Sequence, residues 1–194
     1  MKNNQSGRSM VEMLGVLAII GVLSAGGLAG YSKAMFKHKL NSTMDQLTML
    51  VTNIRTMYGT QENYNGLSIP QAASLGIIAQ SSLSGSKMVN PFKGEVYLEA
   101  SPAKQDVEDS GFVIAYDGLP KEACIALATS DWGTGAGSGF IGTAAAGEDS
   151  DAETLAGTLE GTYSGTANEG QPLKVSEAIS ACTGNTNAVA IKFY

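Results

Sequence analysis

Residues 13–32 carry no charged side chain. At about 1.5 Å rise per residue, a helix of that length covers ~30 Å, the thickness of bilayer hydrocarbon. Such a run reads first as a membrane anchor. A cleaved secretory signal fits less well, because no small-residue cleavage site follows and a helical pattern continues beyond the run. Gly15, Gly21, Gly26, Gly27 and Gly30 fall within it. Glycines allow close helix–helix approach in membranes, and each also lowers helix propensity by ~1 kcal/mol.

The edge of this run holds an acid. Glu12 enters it five residues after Gly7, with a short leader before. A carboxylate near the centre of a membrane helix costs about 2.5–3.5 kcal/mol and less at the edge, so it calls for a partner. An acid in the first turn of a helix is also favourable in its own right. The order Gly7, Arg8, Ser9, Met10, Val11, Glu12 and then a long apolar helix resembles the processing signal of type IV prepilins. The resemblance implies cleavage by prepilin peptidase between Gly7 and Arg8, which would leave 187 residues (194 minus 7). It further implies that Glu12 pairs with the new amino group of a neighbouring subunit during assembly. Arg8 stands where many pilins carry an apolar, N-methylated residue. The resemblance also implies that the helix can melt locally around residues 21–30 inside a filament.

Past the run the pattern turns amphipathic. Leu40, Met44, Leu47, Val51, Ile54 and Tyr58 recur at spacings of 4, 3, 4, 3 and 4, with Lys39, Thr43, Asp45, Asn53 and Arg55 opposite. One helix over residues 9–58 would be ~75 Å long, an anchor that becomes the spine of a head, and Gly59 ends it. Charge divides at the same place. The first 59 residues hold six Lys/Arg and two acids, a net of +4, and the remainder six Lys and sixteen acids, a net of −10. An acidic head argues against nucleic acid as a partner, since phosphate binding needs a basic face.

Lys33, Lys37 and Lys39 follow the apolar run, whereas Lys2 and Arg8 precede it. A positive-inside count taken alone would keep the head in the cytoplasm. The prepilin signal and the cysteines outweigh that count. Cys124 and Cys182 lie far apart with no C-x-x-C, a pattern open to reduced buried thiols or a disulfide. An export-type anchor moves the balance to a disulfide, worth ~4 kcal/mol in the chain-entropy model.

In the head, residues 60–91 read as a connecting loop with a short helix near 70–75, opened by Ser68 and Pro70. Residues 95–100 and 111–116 alternate as strands, and Asp117-Gly118 reads as a turn. A short helix over 120–129 places Cys124 on its buried face beside Leu127. Residues 129–170, rich in Gly, Ala, Ser and Thr, read as a mobile surface excursion with short irregular strands at most. Residues 176–182 form a second helix with Ser176 as its cap, and 189–194 a closing strand. The strand Phe112-Val113-Ile114-Ala115-Tyr116 running into the Cys124 helix, and the Cys182 helix followed by an Asn turn and a terminal strand, are similar to the type IVb branch of the pilin family.

Enzyme chemistry finds little to stand on. His38 is the single histidine, lying between two lysines, and neither a Gly-x-Ser-x-Gly elbow nor a phosphate loop occurs. Gly133, Gly135, Gly137 and Gly139 match a nucleotide loop in composition alone. Glu148, Asp149, Asp151 and Glu153 lack EF-hand spacing and read as a solvated acidic loop. Trp132 and Phe140 read as binding anchors or, the favoured reading, as pins that hold the excursion to the head.

The expectation is an α+β type IV pilin fold: a leader (1–7), an N-terminal helix (8–58) and a globular head (59–194) with an antiparallel sheet and a Cys124–Cys182 bridge. No catalytic residue, metal or cofactor is expected. The implied role is a pilus subunit, held in the inner membrane with its head in the periplasm and then polymerised as a homo-oligomeric helical filament. The implied partners are prepilin peptidase, the assembly machinery and a host or neighbouring-cell surface. Rival readings are a minor tip adhesin, a type II secretion pseudopilin and an uncleaved single-pass membrane protein.

Overall fold

The computed structural model describes residues 10–133, 139–147, 150–163 and 171–194. The long helical period forms one helix, α1 (Met10–Tyr58), which passes unbroken through Gly21, Gly26, Gly27 and Gly30. The chain divides into two compact units, Met1–Asn41 and Ser42–Tyr194.

In the second unit, α1 buries Thr43, Leu47, Leu50, Val51 and Ile54. Thr43, read from sequence as part of the polar face, lies inside. The buried stripe runs 43, 47, 50, 54, one helical step round from the sequence stripe, so it takes in Leu50 and leaves Leu40 and Met44 half-covered.

The expected loop after α1 contains α2 (Ile69–Ser74), a 3₁₀ turn (Gln80–Ser82) and the small hairpin β1 (Leu83–Ser84) and β2 (Lys87–Val89). β3 (Glu95–Ser101) and β4 (Gly111–Leu119) follow, then α3 (Lys121–Thr129), β5 (Phe140–Ala146), α4 (Ala152–Gly157), α5 (Val175–Ala181) and β6 (Asn187–Phe193). The sheet is antiparallel throughout in the order β1-β2-β3-β4-β6-β5, so β6 lies between β4 and β5.

Both faces of β4 are covered, which is why it reads as a nearly continuous apolar run. Phe112 pairs with Phe193 and Ile114 with Ile191 on the face toward α1, where Tyr58, Tyr64, Phe112, Phe193 and Phe140 form a chain of ring contacts. On the other face, Val113, Ala115, Ala188 and Ala190 pack under Ala152, Leu155, Ala156 and Leu159. The head is therefore a three-layer unit, with α1 and α4 on opposite faces of one sheet.

Three sequence expectations are corrected. Asp117-Gly118 lies inside β4 at an irregularity between Tyr116 and Leu119, not in a turn between strands. Gly118 has φ +64°, and a Cβ there would come within 2.7 Å of Gly94 Cα, so the close passage of two backbones demands glycine. Within the 129–170 excursion, Phe140–Ala146 form β5 and Ala152–Gly157 form α4, and both contribute to the core. Alanine and glycine make that segment look like a loop, but small side chains are what a strand needs beneath a closely packed helix. The cap of α5 is not Ser176, which lies within the helix; the Lys174 N–H at the N-cap donates to the Glu177 carboxylate at 3.2 Å.

Candidate assembly site and the surfaces of the head

In the first unit, Glu12 lies in the first turn of α1 and is exposed. Around and beyond it, large apolar side chains such as Met10, Leu14, Leu17, Ile19, Ile20 and Leu23 stand 53–83% exposed. Full burial of each would contribute about 1.5–3 kcal/mol, so this surface strongly favours lipid or other apolar helices over water. Gly7 and Arg8, the expected cleavage pair, lie outside the described residues.

The two cysteines meet. Cys124 in α3 and Cys182 at the end of α5 form a disulfide with a Cα–Cα distance of 6.0 Å across a separation of 58 residues, and both are fully buried. α3 positions Cys124 beside buried Ala123, Leu127 and Ala128. The same corner is tied twice more. Leu173 N–H donates to Ala128 O at 3.0 Å, and buried Asn187 donates through Nδ2 to Leu119 O (3.1 Å) and Gly184 O (3.0 Å). Asn187 Oδ1 accepts from Gly184 N–H at 2.9 Å. The asparagine thereby fixes the turn that turns the chain into β6.

Trp132 and Phe140 act as pins: Trp132 Nε1 donates to Leu127 O at 3.0 Å, and Phe140 is buried against Phe193. Asp151, one of the residues read as a solvated acidic loop, caps α4 by accepting from Thr154 N–H at 2.6 Å, which holds its carboxyl below the usual range. Glu148, Asp149, Gly135 and Gly137 lie outside the described residues.

Sequence reading missed Lys192. It lies in β6 on the α4 side of the sheet, fully buried. Its ammonium donates to Leu159 O at 2.7 Å and Glu160 O at 3.2 Å, carbonyls just past the end of α4. Burial draws its pKa down to about 8, and Glu160 opposes that shift in part. Strand alternation offered a signal: position 192 shares a face with Ala188 and Ala190, so a lysine there must either leave the core or find acceptors inside it.

Near that site, Glu99, Glu153 and Glu160 line an open cleft of about 290 Å³ beside β3 and α4. All three are exposed, and Glu99 accepts from the Tyr97 hydroxyl. Burial, with that hydrogen bond, raises the Tyr97 pKa.

Comparison with known proteins gives a consistent result. The Bundlin family profile matches residues 33–193. The major structural subunit of bundle-forming pilus from Escherichia coli O127:H6 (strain E2348/69 / EPEC) is 28% identical over 137 residues, 70% of this chain and 69% of that protein. Toxin coregulated pilin of Vibrio cholerae is 27% identical over 132 residues, 66% of this chain and 59% of that protein. Among solved structures, a type IVb pilin from Salmonella typhi matches with a TM-score of 0.54 at 16% identity, covering 78% of this chain and 97% of that one. TcpA, a type IV pilin from Vibrio cholerae El Tor, matches with a TM-score of 0.50 at 19% identity, covering 81% of this chain and 99% of that one.

Proposed function

Because the chain belongs to the Bundlin family, we propose that it is a structural subunit of a type IVb pilus, cut between Gly7 and Arg8 and polymerised through α1. The observation that carries this reading is the contrast between the two units. The head buries its apolar residues around the sheet, while α1 near its start leaves a full circumference of apolar side chains open, with Glu12 set among them.

A carboxylate in such a surface is tolerable when a cation meets it as the surface is buried. In the subunit that cation is the Arg8 amino group of a neighbour, freed when the peptidase removes the leader and Lys2. Before assembly the precursor sits in the inner membrane with its head in the periplasm, where the Cys124–Cys182 bridge closes. The assembly machinery then draws α1 from lipid into the filament core, and the heads form the filament surface that meets a host or neighbouring cell.

Mass spectrometry of the subunit in sheared filaments tests the cleavage, with an N-terminus at Arg8 expected. A chain that keeps Met1 in cells carrying the peptidase would overturn the reading. Glu12→Ala tests the assembly step: filaments should disappear while the head keeps its disulfide.

A further inference from the structure

Charge enters the first part of α1 at two levels. Glu12 marks one, and Lys33 is the next charged residue, 21 positions on along an unbroken helix (33 minus 12). At about 1.5 Å per residue the two lie ~32 Å apart, close to the thickness of bilayer hydrocarbon. Lys37 lies ~6 Å farther along the axis, and the headgroup layer on each side of a bilayer is about 5–8 Å deep. With Glu12 at one edge of the hydrocarbon, both lysines therefore fall among the headgroups at the other edge.

The surroundings of the lysines agree with that depth. Large apolar side chains stay exposed as far as Leu28, and Tyr31 is exposed two positions before Lys33. Tyrosine favours the same boundary, with its ring at the acyl edge and its hydroxyl in water. Lys33, Lys37 and the adjacent His38 are exposed too. The lysines are four residues apart, so they share a face and repel one another. Among the described residues the ion pairs are Lys87–Glu95 and Lys174–Glu177, so neither lysine is in one.

The helix cannot offset them itself. Between Glu12 and Asp45 it carries no acid, and Asp45 is ~12 Å beyond Lys37 along the axis. A second α1 at the same depth would set lysines against lysines. Lipid phosphates, in contrast, surround the helix at this level, and an ammonium on a four-carbon stem snorkels to reach them.

We propose that Lys33 and Lys37 bind the phosphates of anionic phospholipids in the leaflet on the head side. Headgroups then hold α1 in the membrane together with its apolar run. The inference rests on the reading that α1 crosses the inner membrane before assembly. It gives a role to two cations that otherwise only oppose export, since lysines on the head side of an apolar run work against translocation. The contact is electrostatic, so salt weakens it, and passage of α1 from lipid into a filament requires it to break.

The test uses the full-length chain reconstituted into vesicles of phosphatidylcholine, with and without phosphatidylglycerol. Flotation reads membrane insertion, and native mass spectrometry reads the retained lipid. A lysine at an anionic surface is worth about fivefold in affinity, so the wild type should retain phosphatidylglycerol over phosphatidylcholine by roughly tenfold or more. Lys33→Gln with Lys37→Gln should reduce that preference to within about twofold while the chain still floats with both vesicles. Lys93→Gln with Lys121→Gln removes equal charge from exposed positions of the head and should leave the preference unchanged. Equal retention of the two lipids by the wild type, or a preference that survives loss of Lys33 and Lys37, overturns the proposal. A variant that keeps the preference but no longer forms filaments would assign the lysines to a contact between copies, and the proposal fails. A wild-type chain that floats with neither vesicle would remove the membrane reading and the proposal with it, whereas flotation without selectivity sinks the proposal alone.

Discussion

The guanidinium of Arg55 lies over the ring of Phe193, 5.4 Å from its centroid, and donates to the Tyr194 carbonyl oxygen at 3.2 Å. One side chain thus ties the latter part of α1 to the end of β6. Burial lowers the Arg55 pKa, as expected for a cation drawn partly out of water to reach these partners. Arg55→Ala should destabilise the head by about 1–2 kcal/mol, the sum of a partly desolvated cation–π contact and one hydrogen bond. Urea unfolding of the full chain in detergent micelles measures it, and a midpoint equal to wild type would show that the clamp contributes nothing.

Lys192 predicts a dependence on pH. Its folded pKa, about 8, lies below the ordinary lysine value of 10.5. The unfolded chain therefore binds more protons between those values, and stability rises with pH through that window. Below pH 8 the burial penalty is present in full. Tyr97 and Tyr116, whose pKa values burial raises, act in the opposite direction once the unfolded tyrosines ionise near pH 10. The rise is therefore sought between pH 8 and about 9.5. Unfolding midpoints should climb across it in the wild type and stay flat in Lys192→Met.

Replacing both Cys124 and Cys182 with serine removes a bridge spanning 58 residues. The chain-entropy model gives a loss of ~4 kcal/mol. Chemical denaturation of the oxidised wild type and the double variant compares them directly; a loss below ~1 kcal/mol would mean that the Asn187 and Leu173 hydrogen bonds suffice to hold the corner.

At Gly118, alanine meets a positive φ and the Gly94 backbone together. Gly118→Ala should cost roughly 1–3 kcal/mol or more. The same change at Gly157, where a Cβ meets nothing within 4 Å, is the control and should be near neutral. Equal effects at the two sites would discard the crowding argument.

Large, periodic signals were legible in the sequence, and small residues misled. The period of α1, the alternation of β3, the continuous apolar run of β4 and the helices holding the cysteines could all be read from apolar spacing. The type IVb resemblance found on those elements agrees with the family match. β5 and α4 were missed because Gly142, Thr143 and the alanines at 144–146 resemble a loop, although Phe140 and Ile141 at the head of β5 are buried. Their identity as core follows from pairing with β6, a partner about fifty residues away in sequence, and no local window contains it. Lys192 was missed for the same reason, since its acceptors lie in the turn after α4, about thirty residues away in sequence. Glu12 and Gly7 stood out because the signal they resemble lies in order along the chain rather than in packing.

The slot that β6 occupies governs when the head can form. Residues 187–193 are delivered after every other strand, yet they join β4 to β5 and complete the floor on which α4 rests. Until they arrive, β4 has an open edge and β5 has nowhere to pair. A nascent head must therefore wait, unfolded, for these residues. Folding is gated by the arrival of β6, and a chain cut short before β6 would present bare strand edges rather than a smaller stable head.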